Sequence, residues 1–377
     1  MIPIWKLKRE IKRFEKQILG ICDLVLARPR RVIYDLLRPL LCRVTQGQMQ
    51  PGPHMAVFLL YQPKGLSASV QVAIGALLDS GAVPIFVSNL PLNAGDRAYL
   101  AGKSWRVVER PNAGYDFGGY REGITQIFDT GLDPDQLWIL NDSAWFPVCD
   151  GDQPLARLID DSADVSGAMV HMDGRDHDKD YAESYFLAFP KSTIRHPAFV
   201  KFWRRYPLSN SKITVTRHGE LGFSQAMRAA GLRVESRMNN RVFLVKLAAQ
   251  STEFLKKTLH YGGLTDRTLS AERGALLTSA DSSEQWRAAA LDHVRKTLHR
   301  SGFRYQYCYA AIRLMQFPLV KKGPDPRSII ARARYLAAVQ AGDLPAPPDP
   351  ILTELTQAVA YDVAQNYAWQ RPGARLG

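Results

Sequence analysis

Apolar positions along the chain fall into two periods, and their order predicts the architecture. Met55–Tyr61 (MAVFLLY) is continuously apolar, which suits a strand covered on both faces. Ala68–Ser80 follows with Val70, Val72, Ile74 and Leu77-Leu78 at helical spacing, and Gly81 stops it. Val83–Val87 (VPIFV) predicts a second strand, Ala94–Ala101 a short helix, and Trp105–Arg110 an alternating, Val-rich strand. A polar, glycine-bearing loop, Pro111 to Gly119, leads into Tyr120–Phe128, where Ile124 and Phe128 stand four apart as on a helix. Asp129-Thr130-Gly131 ends that helix, and a strand over Gln136–Leu140 runs into Asn141-Asp142-Ser143. Strand and helix alternate three times before Asp142, so the prediction is a doubly wound, mostly parallel α/β sheet.

Beyond Pro147 the pattern is less regular. Gln153–Ile159 predicts a helix, Ser166–His171 and Tyr185–Phe189 strands, and His196–Tyr206 an aromatic-rich helix whose Phe199, Phe202 and Trp203 suit a core. Thr216-Arg217-His218-Gly219-Glu220 opens a helix over Leu221–Ala230. After Asn240 the reading is helical: Val242–Leu259, Ser283–His299, Tyr305–Met315 and Ser328–Gln340. The expected organisation is a segment 1–45, a catalytic domain 55–240 and a helical region 241–377. Residues 46–54 form a polar linker.

Residues 1–45 change the picture most when charge is added. Eleven Lys/Arg stand against four Asp/Glu, a surplus of seven, within a chain whose net charge is +13. Ile4, Leu7, Ile11, Phe14, Ile18, Ile21 and Val25 draw one stripe on a helix, interrupted by Pro29 and Pro39. A basic amphipathic helix of this kind either lies on an anionic membrane surface, with Trp5 near the headgroups, or packs its stripe on the main domain or on a coiled-coil partner. Nucleic acid is not expected as a partner, because no recognisable binding motif accompanies the charge. Cys22, Cys42, Cys149 and Cys308 are scattered without a metal-ligand or disulfide framework, which predicts reduced thiols in a cytoplasmic protein. Neither a spanning helix nor a signal peptide is read from the sequence.

The chemistry concentrates between Asn112 and Ser143. Gly114, Gly118 and Gly119 let backbone approach a ligand or take positive φ. The helix N-terminus that follows suits a diphosphate. Asp142, at the end of an apolar strand, could hold a divalent cation, magnesium or manganese, bridging the same phosphates. The alternative is a βαβ crossover in which the glycines only turn the chain. His171 to Asp178 is dense in metal-capable side chains, yet it lacks a ligand framework and reads as a solvated loop.

N-A-G-Y-D-F-G-G-Y-R-E-G, followed by W-I-L-N-D-S, resembles the rhamnan synthesis protein F family of bacterial polysaccharide glycosyltransferases. It is more distantly similar to nucleotide-sugar-dependent transferases of the GT-A fold. S-Y-F-L-A-F (184–189), H-P-A-F-V-K-F-W (196–203) and H-G-E-L-G-F-S (218–224) continue the likeness. The resemblance implies a GT-A-like domain, a nucleotide-sugar donor (dTDP-rhamnose being the family's suggestion) and a lipid-linked or polysaccharide acceptor. The location implied is the inner face of the cytoplasmic membrane. By the same resemblance, Asn89, Asn112, Gly114, Asp116, Gly118 and Asn141 shape the donor pocket and Asp142 the metal site. Glu220, with Glu183 behind it, is then the base of an inverting transfer. Asn141-Asp142-Ser143 carries one carboxylate where many GT-A enzymes carry two. That departure leaves room for a non-catalytic, sugar-nucleotide-binding subunit.

Overall fold

The computed structural model describes residues 25–149, 151–172, 179–281, 283–299 and 301–369. The stripe from Ile4 to Ile21, and positions 173–178 of the His171–Asp178 loop, lie outside the described residues. The first elements in chain order are a helix over residues 25–41 (α1), β1 (Arg43–Gln46), β2 (His54–Leu60), α2 (Ala68–Asp79), β3 (Val83–Ser88), α3 (Ala94–Ala101), β4 (Arg106–Glu109), α4 (Tyr115–Asp129), β5 (Gln136–Asn141) and β6 (Ala144–Trp145). They are followed by β7 (Val165–Gly167), β8 (Val170–His171), β9 (Tyr181–Ala182), β10 (Phe186–Pro190), α5 (Lys191–Arg195), α6 (Pro197–Arg205), α7 (Lys212–Val215), α8 (Gly222–Ala229) and β11 (Val234–Glu235).

Two units divide the chain: residues 1–65, 81–142 and 160–235 form the first, and 66–80, 143–159 and 236–377 the second. The first holds a sheet in the order β1-β4-β3-β2-β5-β10-β7-β11. β2 pairs in parallel with β3 and β5, and β3 with β4. β10 runs antiparallel to β5 and β7, while β1 closes the far edge antiparallel to β4. This is the mostly parallel, doubly wound sheet expected. Its strand order reverses between β2 and β5, and crevices for ligands open at such a switch point, beyond the carboxyl ends of the strands.

α4 is the helix around which this unit packs. Residues on nearly every side of it are buried, Phe117, Tyr120, Ile124 and Ile127 among them. A β-carbon at Gly119 would lie 2.3 Å from Leu59 Cδ1, and one at Gly123 would lie 2.4 Å from Val57 Cγ1. Glycines one turn apart therefore let the helix backbone settle onto β2. On the other side Phe117 stacks on Trp203 at 5.7 Å, within a cluster that takes in Phe199, Phe202, Tyr206 and Phe223. Phe199 and Trp203 are fully buried, as their core assignment required.

Three local expectations need correction. α4 starts at Tyr115, not Tyr120, so Gly118 and Gly119 sit inside its first turns rather than in a loop. Helix α1 runs through Pro29 and Pro39. It is held by tertiary contacts, namely buried Ala27 and Tyr34, an Arg38–Glu122 ion pair at 2.8 Å and an Arg30–Leu208 carbonyl bond, which offset the missing ladder bonds. Glu220 does not open a helix. It lies in a π-helical turn, Thr216–Leu221, between α7 and α8.

The second unit is mainly helical: α9 (Asn240–Ala248), α10 (Thr252–His260), α11 (Arg267–Thr278), α12 (Glu284–Leu298), α13 (Phe303–Gln306), α14 (Cys308–Met315), α15 (Pro326–Gln340) and α16 (Asp349–Trp369). α2 packs on α16, and Glu354 accepts hydrogen bonds from Ser69 Oγ (2.5 Å) and Trp145 Nε1 (3.0 Å). Cys42, Cys149 and Cys308 form no disulfide among the described residues.

Candidate functional site

β4 delivers Arg110 to a buried position just past its end. The guanidinium donates to Tyr34 Oη (3.1 Å), to Asn89 Oδ1 (2.6 Å) and to the Ala113 carbonyl. One side chain thus ties the loop before α4 to the end of β3 and to α1. Two successive left-handed residues follow, Gly114 at φ 79° and Tyr115 at φ 47°. A β-carbon at Gly114 would meet Leu208 Cδ2 at 2.9 Å, so the loop needs glycine there on both counts. Tyr115 takes the strain without that freedom, held by a bond from its hydroxyl to the Asn210 carbonyl at 3.2 Å. Gly118 has a packing reason: its β-carbon would fall 2.0 Å from the Ala113 oxygen.

On the other side of the switch point, β5 ends in Asn141 and Asp142. Asp142 Oδ2 accepts from the Tyr61 N–H and from Gln62 Nε2, both at 2.7 Å, so the residues just past β2 fix its carboxylate. Asn141 Nδ2 reaches Asp116 Oδ2 at 3.3 Å, in the first turn of α4. One turn on, the buried Tyr120 hydroxyl donates to the Ser184 carbonyl at 2.7 Å. Ser184 in turn donates to Glu220 Oε1 through its N–H (3.1 Å) and its hydroxyl (2.8 Å). The Tyr120 hydroxyl also lies within hydrogen-bonding reach of the Asn141 side chain, so a polar chain joins Asp116, Asn141, Tyr120, Ser184 and Glu220.

The electrostatics agree. Burial, then the negative charges of Asp116 and Glu220 and more weakly Asp142, push the Tyr120 phenol well above its usual range. Burial, then Asp116 and Glu220, push Tyr206 up likewise. Both phenols stay neutral, and acidic groups from α4, β5 and the π turn share one neighbourhood. His218 is pushed below its usual range by burial and by Arg217 and Arg28, which favours neutral imidazole beside the site. Among the described residues, Asn112 Oδ1, Trp203 Nε1 and Tyr206 Oη are buried here without a hydrogen-bond partner.

Clefts open at the strand ends. One of about 510 Å³ is lined by Asn89, Asn112, Arg43, Arg97 and Glu109. Another of about 560 Å³ is lined by residues 62–65 and 90–93 with Asp96, and Leu90 and Pro91 belong to both. Glu109 is held below the usual carboxylate range: burial opposes this, and Arg97 with the Leu92 N–H overcomes it.

The structure thus gathers Asp116, Asn141, Asp142 and Glu220 around Tyr120 and places Asn89 and Asn112 on a cleft at the strand ends. Glu183 sits beside the group, its N–H bonded to the Met169 carbonyl. Among the described residues, no group of three or more His, Cys, Asp or Glu side chains could hold a metal ion. Asp142 therefore offers one carboxylate, which fits Mg²⁺ or Mn²⁺ only where a ligand's phosphates supply further oxygens. Ser184 was expected at the entrance of the Tyr185–Phe189 strand, facing the crevice, whereas Arg110 and Tyr120 escaped the sequence reading as site residues. A lone Arg following a Val-rich strand reads as its solvated end, although the local pattern does place Arg110 directly before the loop.

Residues 84–258 match the profile of rhamnan synthesis protein F, which bears out the family resemblance. An uncharacterized protein of Sinorhizobium fredii, y4gN, is 31% identical over 236 residues, 63% of this chain. The aligned part spans 62% of that relative's length. A mannosyltransferase of Pyrobaculum calidifontis, PcManGT, solved with GDP-Man and Mn²⁺, aligns over 95% of this chain and 98% of its own at 10% identity and a TM-score of 0.31. That score is too low to equate residues.

Proposed function

We propose that this chain, matching rhamnan synthesis protein F over residues 84–258, is a glycosyltransferase that moves a sugar from a nucleotide-sugar donor to a growing cell-surface polysaccharide or lipopolysaccharide acceptor. The observation that carries the reading is the convergence of Asp142, Asp116 and Glu220 about Tyr120 at the switch point of the sheet. The cleft beside Gln62 suits the nucleoside, and the donor's diphosphate then faces the N-terminal turn of α4. A divalent cation would be held by Asp142 together with the donor's phosphate oxygens, and would neutralise the departing diphosphate.

Glu220 acts as base in this reading. Ser184 fixes one carboxylate oxygen, and the acceptor hydroxyl gives up its proton to the carboxylate as its oxygen attacks the anomeric carbon. The transfer inverts, with rhamnose as the donor sugar the family suggests. The protein works peripherally at the inner face of the cytoplasmic membrane. A second reading, a sugar-nucleotide-binding subunit without turnover, draws on the single metal-capable carboxylate and on the two donors already engaging Asp142 Oδ2.

The test is a panel of nucleotide sugars assayed for thermal stabilisation and for transfer, with and without manganese. A donor at a hundred times its dissociation constant should add about 2.7 kcal/mol. Asp142→Asn should lower transfer far more than stability. Binding without transfer to any acceptor would select the second reading, and no stabilisation by any nucleotide sugar would overturn both. Full transfer by Asp142→Asn at saturating donor and metal would remove Asp142 from the mechanism.

A further inference from the structure

Helix α1 has two faces with opposite fates. One is built into the first unit: Ala27 is fully buried and Tyr34 is 5% exposed, while Arg31 and Arg38 bond the Arg204 carbonyl and Glu122. The opposite face carries Val25, Leu26, Val32, Ile33, Leu36, Leu37, Leu40 and Leu41, all exposed, with Leu36 at 75% and Leu40 at 85%. Their spacing of three and four places them on one stripe. Val44, on the edge strand β1 that follows α1, is 46% exposed as well. So large a contiguous apolar stripe on a protein surface marks a docking site.

We propose that α1 docks on an anionic lipid bilayer, with this stripe in the acyl–headgroup boundary and the neighbouring arginines at the phosphates. Charge complementarity selects the occupant. Residues 1–45 hold eleven basic and four acidic side chains, and the whole chain carries +13. Arg28 is exposed next to the stripe, and the Arg43 side chain, 63% exposed at its end, faces Glu109 at 3.8 Å while remaining open to solvent. A second copy of this chain would bring the same cations to the same face and be repelled. No helix among the described residues is long and apolar enough to cross a membrane, so the geometry is that of a helix lying in the interface. The inference deepens the membrane-peripheral part of the proposed function. Its test does not depend on sugar transfer.

The experiment is co-sedimentation of the full chain with vesicles of mixed phosphatidylglycerol and phosphatidylcholine. Wild type should bind them, more weakly as salt rises, and bind pure phosphatidylcholine poorly. Ile33→Gln/Leu36→Gln/Leu40→Gln should cut binding by roughly tenfold or more. Its melting temperature should hold, because all three side chains already face water. Arg28→Gln/Arg43→Gln should weaken binding only to the anionic vesicles, by about fivefold per charge. Wild-type failure to sediment, or a triple variant that sediments like wild type, would overturn the proposal. So would a wild-type dimer that the triple variant turns into a monomer, since the stripe would then be a contact between copies. Vesicle binding can fail while transfer succeeds, and the reverse, so this inference and the proposed function fail separately.

Discussion

Arg110→Met tests whether one buried guanidinium organises the candidate site. The variant keeps most of the side chain's length and apolar stem and removes three hydrogen bonds. Asn89 is 3% exposed, so its orphaned Oδ1 should cost about 1–3 kcal/mol. Tyr34 Oη keeps Glu122 and Cys42 as neighbours, and the Ala113 carbonyl belongs to a half-buried residue that water can reach. Those two losses should cost about 0.5–1.5 kcal/mol each. Relief from burying a guanidinium offsets part of the sum, leaving about 2–4 kcal/mol. Stability of typical domains is about 5–15 kcal/mol, so the variant should still fold. Urea titration should show a lower midpoint with an unchanged slope. Arg106→Met is the control: it lies at the opposite end of β4, bonded to Gln126 at 2.7 Å and stacked on Trp105, and should cost about 1 kcal/mol. Donor affinity should drop by roughly tenfold or more in Arg110→Met and hold in Arg106→Met, tenfold corresponding to about 1.4 kcal/mol. A destabilised Arg110→Met that binds donor like wild type would refute the organising role. An unchanged urea midpoint would refute the energetics.

Glu220→Gln should retain a carbonyl acceptor for both Ser184 donors yet lose the proton acceptor, lowering transfer by about 10²–10⁴-fold with the donor dissociation constant unchanged. Near-wild-type transfer would send the search to Glu183. In the second unit, hydrogen bonds from Ser69 and Trp145 and the charge of Lys322 outweigh burial and hold Glu354 down to about 2. A depressed carboxylate stabilises the fold above its unfolded range, near pH 4.5, and that contribution disappears as pH falls toward 2. Glu354→Gln should therefore flatten the loss of stability between those limits, and identical acid limbs in urea melts would count against the assignment.

Strands with continuous apolar runs were the most legible part of the chain. Met55–Tyr61, Val83–Val87 and Gln136–Leu140 match β2, β3 and β5 to within a residue, because a strand buried on both faces leaves no polar position to confuse its ends. Ala94–Ala101 coincides with α3, whose start is fixed by the Asn93 cap. The direction of β10 was not legible, since the reach of a loop and not the strand's own pattern decides it. The start of α4 was misread for a specific reason. Gly118 and Gly119 look like loop residues, and only the close approach of the Ala113 oxygen and the Leu59 side chain shows why a helix needs them. In the second unit, α9 and α10 read as one helix over Val242–Leu259, which the Ser251 cap divides. α11 and α16 went unrecognised, as neither carries a sharp apolar stripe. At the site, Asn112, Asp116, Asn141, Asp142 and Glu220 came from the family resemblance and the strand ends. Ser184 was legible as a residue at a strand entrance, but Arg110 and Tyr120 act through partners distant in sequence, which no local pattern encodes.

The attachment of α2 sets a timetable for the nascent chain. Ser69, at its start, is held by Glu354, 285 residues later. A ribosome adding about 5–20 residues per second needs roughly fifteen seconds to a minute to cover that interval. Throughout it, Val70, Ala73, Ile74 and Leu77, all buried in the finished protein, have been translated while α16 has not. Those residues form an apolar segment that chaperones can bind while translation continues. A stop codon or frameshift before Glu354 would leave Ser69 and Trp145 without this partner for good and α2 without its neighbour α16, so loss of the last helix should be felt as degradation or aggregation of a product whose sheet-forming sequence is complete.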